Sequence, residues 1–308
     1  MVYKTFQEIV DAAKSLDETP RIAVAAANDD HTLGAVKEAT EQGLVKPILV
    51  GDKALIRKIL KEIDFEVPDE DIIDAVELPD AAFKTVELVR TGKADCILKG
   101  KLDTGIILKA VVNKETGIGL GGVMSHFTVF EIPGFDRLLA AVDGGMVTYP
   151  TLEQKKAIIE NTVLGMRALG YEEPKVGVLA CIEKINPKMP ETLDADALKQ
   201  MNLRGEIKHC IVEGPISYDC ALVPETAEFK GYKSPCAGCC DILVAPNIQA
   251  GNILGKCLTV SAKAKMAGVI VGAKCPIAMV SRGSTAEEKF ISIVMAALVA
   301  KGMQKLAE

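Results

Sequence analysis

Short apolar runs alternate with segments of helical periodicity over the first 112 residues, and no other feature of the sequence constrains the fold as strongly. The apolar runs predict strands over residues 21–27, 47–50, 72–78 and 96–98. The periodic segments predict helices over residues 5–16, 32–42, 52–63, 80–90 and 104–112. Because the connections are short and the strands are apolar throughout, the pattern is typical of a parallel sheet covered on both faces. We therefore predict an α/β fold with mostly parallel sheets and helices on both faces.

The alternation is interrupted after residue 113. A glycine-rich loop at residues 117–122 leads to two strand-like segments, 123–131 and 138–142. The connection between these two segments is too short for a crossover helix, so they are predicted to pair antiparallel.

The β–α alternation then resumes and defines the predicted domains. The predicted elements are a helix over 150–169, a strand over 176–181, a helix over 190–201 and a strand over 209–212 that Gly214-Pro215 breaks. The last strand and helix of the chain are predicted to return to the first domain. Domain I therefore comprises residues 1–115 and 274–308, and domain II comprises residues 116–273.

Composition and charge argue against several classes of protein. Aromatic residues make up only 4% of the chain and Trp is absent, which argues against a nucleic-acid stacking surface. The net charge of −6 disfavours attraction to nucleic acid or to an anionic membrane. No uninterrupted apolar run approaches about 18 residues. The nine cysteines are scattered, which favours reduced thiols in a cytoplasmic protein.

Residues 241–288 carry the strongest functional signal, because a strand ends there twice at a polar turn before a helix. The first apolar run ends at Pro246-Asn247, and Gly251-Asn252 then opens an apolar helical pattern. The second run ends at Ser281-Arg282-Gly283. Amide, hydroxyl and guanidinium donors at the ends of buried strands suit an anionic ligand.

Ser281 and Arg282 are candidate catalytic residues, because a guanidinium can bind a phosphate through two hydrogen bonds. The alternative is an ordinary turn with a solvated arginine. Residues 284–287 are predicted to form a capping box, which gives Glu287 a structural role. Glu288 is left as the candidate general base, with a solvated surface glutamate as the alternative.

Other polar residues are candidates for substrate binding. Asn252 can hydrogen-bond a substrate carbonyl, and Lys256 follows one helical turn later; a helix start with a snorkelling lysine is the alternative. Lys99 and Lys101 flank a glycine between a strand and a helix, where lysines can bind phosphate, although the Walker A spacing is missing. The remaining candidates are Asn247, Lys109 and Ser125.

Metal binding is not predicted. Cys236, Cys239 and Cys240 lie close together in sequence, but no second Cys/His cluster accompanies them at a usable spacing. His126 lies inside an apolar strand and is interpreted as a core or cleft histidine.

Taken together, several segments resemble the phosphate acetyl/butyryltransferase family. The likeness lies in residues 131–133, Pro150-Thr151, residues 213–221, Ser234-Pro235, residues 246–252 and Ser281-Arg282-Gly283. It covers the chain from about Lys99 onward. Residues 262–274 are most similar to the butyryl branch.

The resemblance implies a reversible transfer of an acyl group between coenzyme A and orthophosphate, with butyryl-CoA and phosphate giving butyryl phosphate and CoA. It implies a fold like the isocitrate and isopropylmalate dehydrogenases, with two α/β domains and a cleft between them. It also implies a homodimer or larger homo-oligomer. Coenzyme A and phosphate are substrates in this family, and neither a permanently bound cofactor nor a metal is implied.

The resemblance also implies roles for individual residues. Ser281 and Arg282 match the family's catalytic Ser-Arg pair, and the family's following acid falls on Glu288. Lys109 stands where the acetyl branch has an arginine, and Thr259 stands where it has another. In the mechanism we infer, Glu288 accepts the thiol proton, Ser281 with Asn252 donates to the oxyanion, and Arg282 with Lys109 holds the phosphate.

Three alternatives remain open. The first is the same chemistry with an acetyl group, because acyl length depends on pocket volume. The second is an oxidative decarboxylase with the same fold, which would need clustered Asp ligands that the sequence does not show. The third is a protein that binds CoA or acyl phosphate without catalysis.

Overall fold

A computed structural model describes residues 2–279 and 284–308. The chain divides into two compact units. One unit comprises Met1–Thr5 and Val123–Met266, and the other comprises Phe6–Gly122 and Ala267–Glu308. We call them the central unit and the terminal unit. The sequence placed the boundaries near residues 115 and 273.

The helices and strands of the described chain follow the predicted alternation closely. The α-helices are α1 (Phe6–Lys14), α2 (Asp30–Glu41), α3 (Lys53–Glu62), α4 (Leu78–Arg90), α5 (Thr104–Val111), α6 (Leu152–Ala168), α7 (Pro190–Leu203), α8 (Tyr218–Leu222), α9 (Pro224–Phe229), α10 (Ile248–Lys256) and α11 (Ala286–Ala307). The strands are β1 (Arg21–Ala25), β2 (Lys46–Gly51), β3 (Ile72–Asp74), β4 (Cys96–Lys99), β5 (Ser125–Glu131), β6 (Leu139–Val142), β7 (Lys175–Leu179), β8 (Ile211–Ile216), β9 (Ile242–Val244), β10 (Lys265–Val271) and β11 (Ile277–Ala278).

The terminal unit is built on strands in the order β3-β2-β1-β4-β11-β10. Strands β3, β2, β1, β4 and β11 are parallel to one another, and β10 runs antiparallel to β11. The sequence did not predict β10 as a strand. It forms a pair with β11, with Val269 opposite Ala278. The return of the chain to this unit is therefore a pair of strands and a helix, and the observed boundary lies before the predicted one.

Helix α11 forms much of the terminal unit's core. Every residue from Phe290 to Ala300 is buried, and the helix packs on α1, α2, β4 and β11. By length and composition α11 could cross a membrane, but 61% of its most apolar window is buried inside the protein. Burial of residues 290–300 on all sides explains why this part of the helix has no polar face.

The central unit is built on strands in the order β5-β6-β9-β7-β8. Strands β5 and β6 pair antiparallel, which confirms the prediction made from their short connection. Strands β6, β9, β7 and β8 are parallel, so their carboxyl ends lie at one edge of the sheet. Residues 1–5 join this unit, where the Leu138 N–H donates to the Tyr3 carbonyl (2.8 Å).

Two predicted element boundaries in the central unit are wrong. Strand β8 continues through Gly214-Pro215, where the sequence predicted a break. Among the described strands it pairs with β7 alone, at the edge of the sheet, where a proline that lacks an N–H is tolerated. Helix α10 begins at Ile248 and not at Gly251, because Asn247 caps it.

Candidate active site

The carboxyl end of β6 leads into a tight turn at residues 143–146. Asp143 is buried, with a relative solvent exposure of 3%. Its carboxylate accepts hydrogen bonds from three backbone N–H groups, those of Gly145 (2.7 Å), Met146 (2.9 Å) and His126 (3.3 Å). Since these donors come from the turn itself and from β5, Asp143 holds the turn against the neighbouring strand.

The start of α10 lies at the carboxyl end of β9, which is hydrogen-bonded to β6. The Asn247 side chain caps the helix by accepting from the Ala250 N–H (3.1 Å). The Asn252 side chain is exposed and its Nδ2 donates to the Gly144 carbonyl (3.1 Å). Lys256 is exposed at the end of the helix. Asn252 and Lys256 therefore lie about one helical turn apart on α10, and Asn247 is the cap of the same helix.

The turn and the helix meet backbone to backbone at two glycines. A Cβ atom added at Gly144 would lie 2.9 Å from the Gly251 carbonyl carbon. A Cβ atom added at Gly251 would lie 2.6 Å from the Asp143 carbonyl oxygen. Contacts this short exclude any side chain, so this approach requires glycine at both positions.

Ser125 and His126 lie at the start of β5. Ser125 is fully buried, and its hydroxyl accepts a hydrogen bond from the Asn161 amide on α6 (3.0 Å). This burial favours a packing role for Ser125 over a substrate contact. His126 Nδ1 lies 3.2 Å from the Thr128 hydroxyl. The interpretation of His126 as a core or cleft histidine is consistent with this contact.

A charged group follows β7 and β8 at the same sheet edge. The Lys230 ammonium lies 3.0 Å from Glu183 Oε1 and 2.9 Å from Asp219 Oδ2. The Ser217 hydroxyl donates to Asp219 Oδ1 (2.5 Å) and also contacts Glu183. These hydrogen bonds, first from Ser217 and then from Lys230, lower the pKa of Asp219 to about 2.

Glu183, Asp219 and Cys220 also present three possible metal ligands within 4.8 Å of one another. The Lys230 ammonium forms ion pairs with both carboxylates and offsets one of their two negative charges.

The cysteines are unpaired throughout, and all nine lie in the described residues. Cys236 and Cys240 are buried, and Cys239 Sγ lies 3.1 Å from Lys175 Nζ. This lysine lies at the amino end of β7, the opposite end of that strand from the charged group.

In the terminal unit, two predicted lysines follow β4. The Lys99 ammonium donates to the carbonyls of Gly100 (3.3 Å) and Leu102 (2.9 Å). Lys101 is exposed, as is Lys109 in the last turn of α5. Lys101 and Lys109 are therefore the better placed of the three to meet a solvent-borne anion, since Lys99 is engaged by the backbone.

The start of α11 corrects the predicted capping box. The cap is Thr285 and not Ser284: its hydroxyl accepts from the Glu288 N–H (3.1 Å), and Glu288 Oε2 accepts from the Thr285 N–H (2.9 Å). Glu288, not Glu287, therefore occupies the structural position of the box. Both Ser-x-x-Glu and Thr-x-x-Glu registers are present in the sequence, and the helix uses the second. The other two catalytic candidates, Ser281 and Arg282, lie outside the described residues.

Asp143 and Gly144 were not among the residues predicted from the sequence. The available signal was the same one that identified Asn247, namely a buried strand that ends at a polar, glycine-containing turn. The sequence Val142-Asp143-Gly144-Gly145 has this form.

Comparison with known proteins identifies the family. A family model described as "Phosphate acetyl/butaryl transferase" matches residues 4–81 and 68–297. The chain belongs to the phosphate acetyl/butyryltransferase family. The resemblance stated from the sequence is thereby confirmed.

Two relatives of the family represent both of its branches. The chain is 44% identical over 297 residues to a protein named "Phosphate butyryltransferase" from Clostridium acetobutylicum, covering 96% of this chain and 98% of the relative. It is 42% identical over 294 residues to a protein named "Phosphate acetyltransferase" from Thermotoga maritima, covering 96% and 99%.

Solved structures confirm the fold. A branched-chain phosphotransacylase from Enterococcus faecalis superposes with a TM-score of 0.79 at 29% identity, covering 91% of this chain and 99% of that one. A 4-hydroxythreonine-4-phosphate dehydrogenase from Burkholderia phymatum superposes with a TM-score of 0.52 at 15% identity, covering 93% and 99%. The family therefore shares its α/β fold with dehydrogenases, as the sequence resemblance implied.

Proposed function

We propose that this chain transfers an acyl group, butyryl by preference, reversibly between coenzyme A and orthophosphate. Nearly full-length similarity to a relative named "Phosphate butyryltransferase" carries the proposal. The geometry supports it, because the exposed Asn252 amide and the exposed Lys256 ammonium lie on α10, and further exposed lysines lie on and before α5. Such groups suit the carbonyl, amide and phosphate groups of these substrates.

In the proposed mechanism, Glu288 accepts the proton of the CoA thiol, since the thiolate is the nucleophile. The thiolate attacks the acyl carbonyl of butyryl phosphate, and the bond to phosphate breaks. Ser281 donates to the developing oxyanion, and Arg282 with Lys109 holds the departing phosphate. The scheme uses no metal and no permanently bound cofactor.

The capping position of Glu288 is compatible with the role of a base. The Thr285 N–H is hydrogen-bonded to Oε2, and this bond orients the carboxylate. Within the described residues no partner is recorded for Oε1, which can accept a proton from a substrate. A base that is held in one orientation loses less entropy when it acts.

The deciding experiment is phosphate-dependent release of free CoA from butyryl-CoA, followed by thiol titration, with acetyl-CoA measured in parallel. Release that requires phosphate and is faster with butyryl-CoA supports the proposal in full. Faster release from acetyl-CoA would support the same reaction with acetyl as the preferred acyl group. The similarity to the Thermotoga maritima relative named "Phosphate acetyltransferase" favours this alternative. CoA binding without release from either substrate would contradict the catalytic proposal.

We also infer that the protein acts in the cytoplasm as a homodimer or larger homo-oligomer. The unpaired state of its cysteines supports a reducing compartment. Light scattering coupled to size exclusion measures the assembly directly, and a mass of one chain at working concentration would contradict the oligomer.

A further inference from the structure

We propose that Asp143 is a positioning residue that sets the direction of the Asn252 amide, and that Asn252 thereby accepts a hydrogen bond from coenzyme A. The inference rests on the proposed function. It assigns Asn252 a role different from the oxyanion donor considered above, and it adds Asp143, Gly144 and Gly251 to the residues that shape the site.

The turn at residues 143–146 is held in place by Asp143. Asp143 is buried and accepts from three backbone N–H groups. Two of these donors belong to the turn, and the third belongs to β5. A buried carboxylate with three such partners holds the backbone around it, because a movement of the turn that breaks these bonds leaves buried carboxylate oxygens unsatisfied.

The orientation of the Asn252 side chain follows from its hydrogen bond to this turn. Its partner is the carbonyl oxygen of Gly144, at 3.1 Å. A carbonyl can only accept a hydrogen bond, so the amide nitrogen must face it and the amide oxygen must point the other way. The side chain is exposed, and within the described residues no partner is recorded for Oδ1. Asn252 therefore presents a hydrogen-bond acceptor at the surface of the central unit.

The backbone of α10 also approaches the backbone of the turn closely. The Gly251 Cα hydrogens stand where a side chain would collide with the Asp143 carbonyl oxygen. The distance from Gly144 to Asn252 is therefore set by two backbones in contact and not by flexible side chains. This arrangement transmits the position of the turn directly to the next residue, Asn252.

The chemistry of the substrates then selects the ligand. A phosphate dianion and a developing oxyanion are rich in acceptors, and an outward amide oxygen repels them. Butyryl-CoA offers hydrogen-bond donors, among them the N–H groups of the two amides in its pantetheine arm. The Asn252 oxygen is thus suited to accept a hydrogen bond from the pantetheine arm. Loss of this hydrogen bond should weaken the binding of CoA substrates without changing the binding of phosphate.

The matched test is Gly251→Ala against Gly255→Ala, two alanine substitutions one helical turn apart on α10. The first would place a Cβ atom 2.6 Å from the Asp143 oxygen, and the second makes only an ordinary 3.5 Å contact with Phe130. We expect Gly251→Ala to raise the KM for butyryl-CoA about tenfold, with the KM for phosphate unchanged, since one hydrogen bond of this size is lost. Gly255→Ala should keep both constants.

A double-mutant cycle tests the positioning itself. Asp143→Asn alone should raise the KM for butyryl-CoA, because an amide nitrogen then replaces an acceptor in the turn. Asn252→Leu alone should raise it about tenfold. If Asp143 acts through Asn252, Asp143→Asn should have no further effect on this KM in the Asn252→Leu background. Additive effects would overturn the proposal, as would an unchanged KM for butyryl-CoA in Gly251→Ala.

Wild-type activity separates this inference from the proposed function. An inactive wild-type protein would contradict the proposed function, and calorimetric titration of CoA into wild type, Gly251→Ala and Gly255→Ala would then test the inference alone. Equal CoA affinities in all three would overturn it. Thermal unfolding of each variant shows whether the fold is kept, and if Asp143→Asn does not fold, the Gly251→Ala comparison decides.

Discussion

The starts of α10 and α11 share one sequence pattern and use it differently. In the sequence, each helix follows an apolar run and a predicted polar turn. At α10 the cap is Asn247, so Asn252, another residue predicted to meet a substrate, is free of capping. At α11 the candidate base Glu288 is itself part of the capping box. The register of a helix cap therefore decides which polar side chains of such a turn are available to a substrate.

The largest expected effect is at Arg282, which precedes α11. Replacing it with alanine removes the guanidinium proposed to hold the phosphate, and we expect turnover to fall by about 100-fold or more. Phosphate-dependent CoA release measures this rate. Arg90→Ala, on the exposed surface of α4, is the control and should keep full activity. Turnover near wild type in Arg282→Ala would contradict the catalytic assignment.

A pair of substitutions separates the two roles of Glu288. Glu288→Gln keeps an acceptor for the Thr285 N–H but cannot take up a proton, so we expect nearly unchanged stability and a rate about 100-fold lower. Thr285→Ala removes the cap hydroxyl and should cost about 1 kcal/mol of unfolding free energy while most activity remains. Urea unfolding and initial rates measure both. Full activity in Glu288→Gln would show that Glu288 is only a cap.

Asn247 provides the matching test at α10. Asn247→Ala removes the acceptor for the Ala250 N–H and should cost about 1 kcal/mol of unfolding free energy. Asn247→Asp restores a capping oxygen and should restore stability. If capping is the whole role of Asn247, the KM values of both variants stay at the wild-type level. A raised KM in the stable Asn247→Asp variant would instead show a substrate contact.

The smallest effect concerns the start of α8, where a third strand ends at a polar turn. Hydrogen bonds from Ser217 and Lys230 lower the pKa of Asp219 from its ordinary 3.8 to about 2. A lowered carboxyl pKa stabilises the folded state above about pH 4, and this contribution disappears as the pH falls through about 2. Wild type should therefore exceed Asp219→Asn in unfolding free energy at about pH 5, and the difference should shrink towards about pH 2.

This pH dependence is expected to be modest, because both partners are substantially exposed, with 37% of the Lys230 side chain and 46% of the Asp219 side chain accessible. Urea unfolding across that pH range measures the difference between the two proteins. A constant difference would mean that the substitution acts through packing and not through the charge of Asp219.

Local patterns explain how much of this molecule could be predicted. The strand–helix alternation and the β5–β6 pair depend on periodicity and on the length of one connection, and both are readable from the chain. The cap of α11 is different, because residues 284–287 and 285–288 satisfy the same rule. Only the packing of the helix selects the register.

Long-range contacts account for the rest. Nothing near Gly251 in the sequence indicates that its Cα touches the backbone of Asp143, more than a hundred residues earlier. In the same way, β10 is readable as a strand only once β11 lies beside it. Such pairings depend on the folded arrangement and carry no local signature.

The segments of the chain that form each unit also have a consequence for folding during synthesis on the ribosome. The central unit is almost continuous in the chain, so nearly all of it can emerge and fold as one segment. The terminal unit needs α11, whose buried residues 290–300 pack on α1, α2 and β4, which are made roughly two hundred or more residues earlier. The apolar surface of its early strands therefore stays exposed until the last part of Ala267–Glu308 has been synthesised. This interval is when the nascent protein should depend most on chaperones.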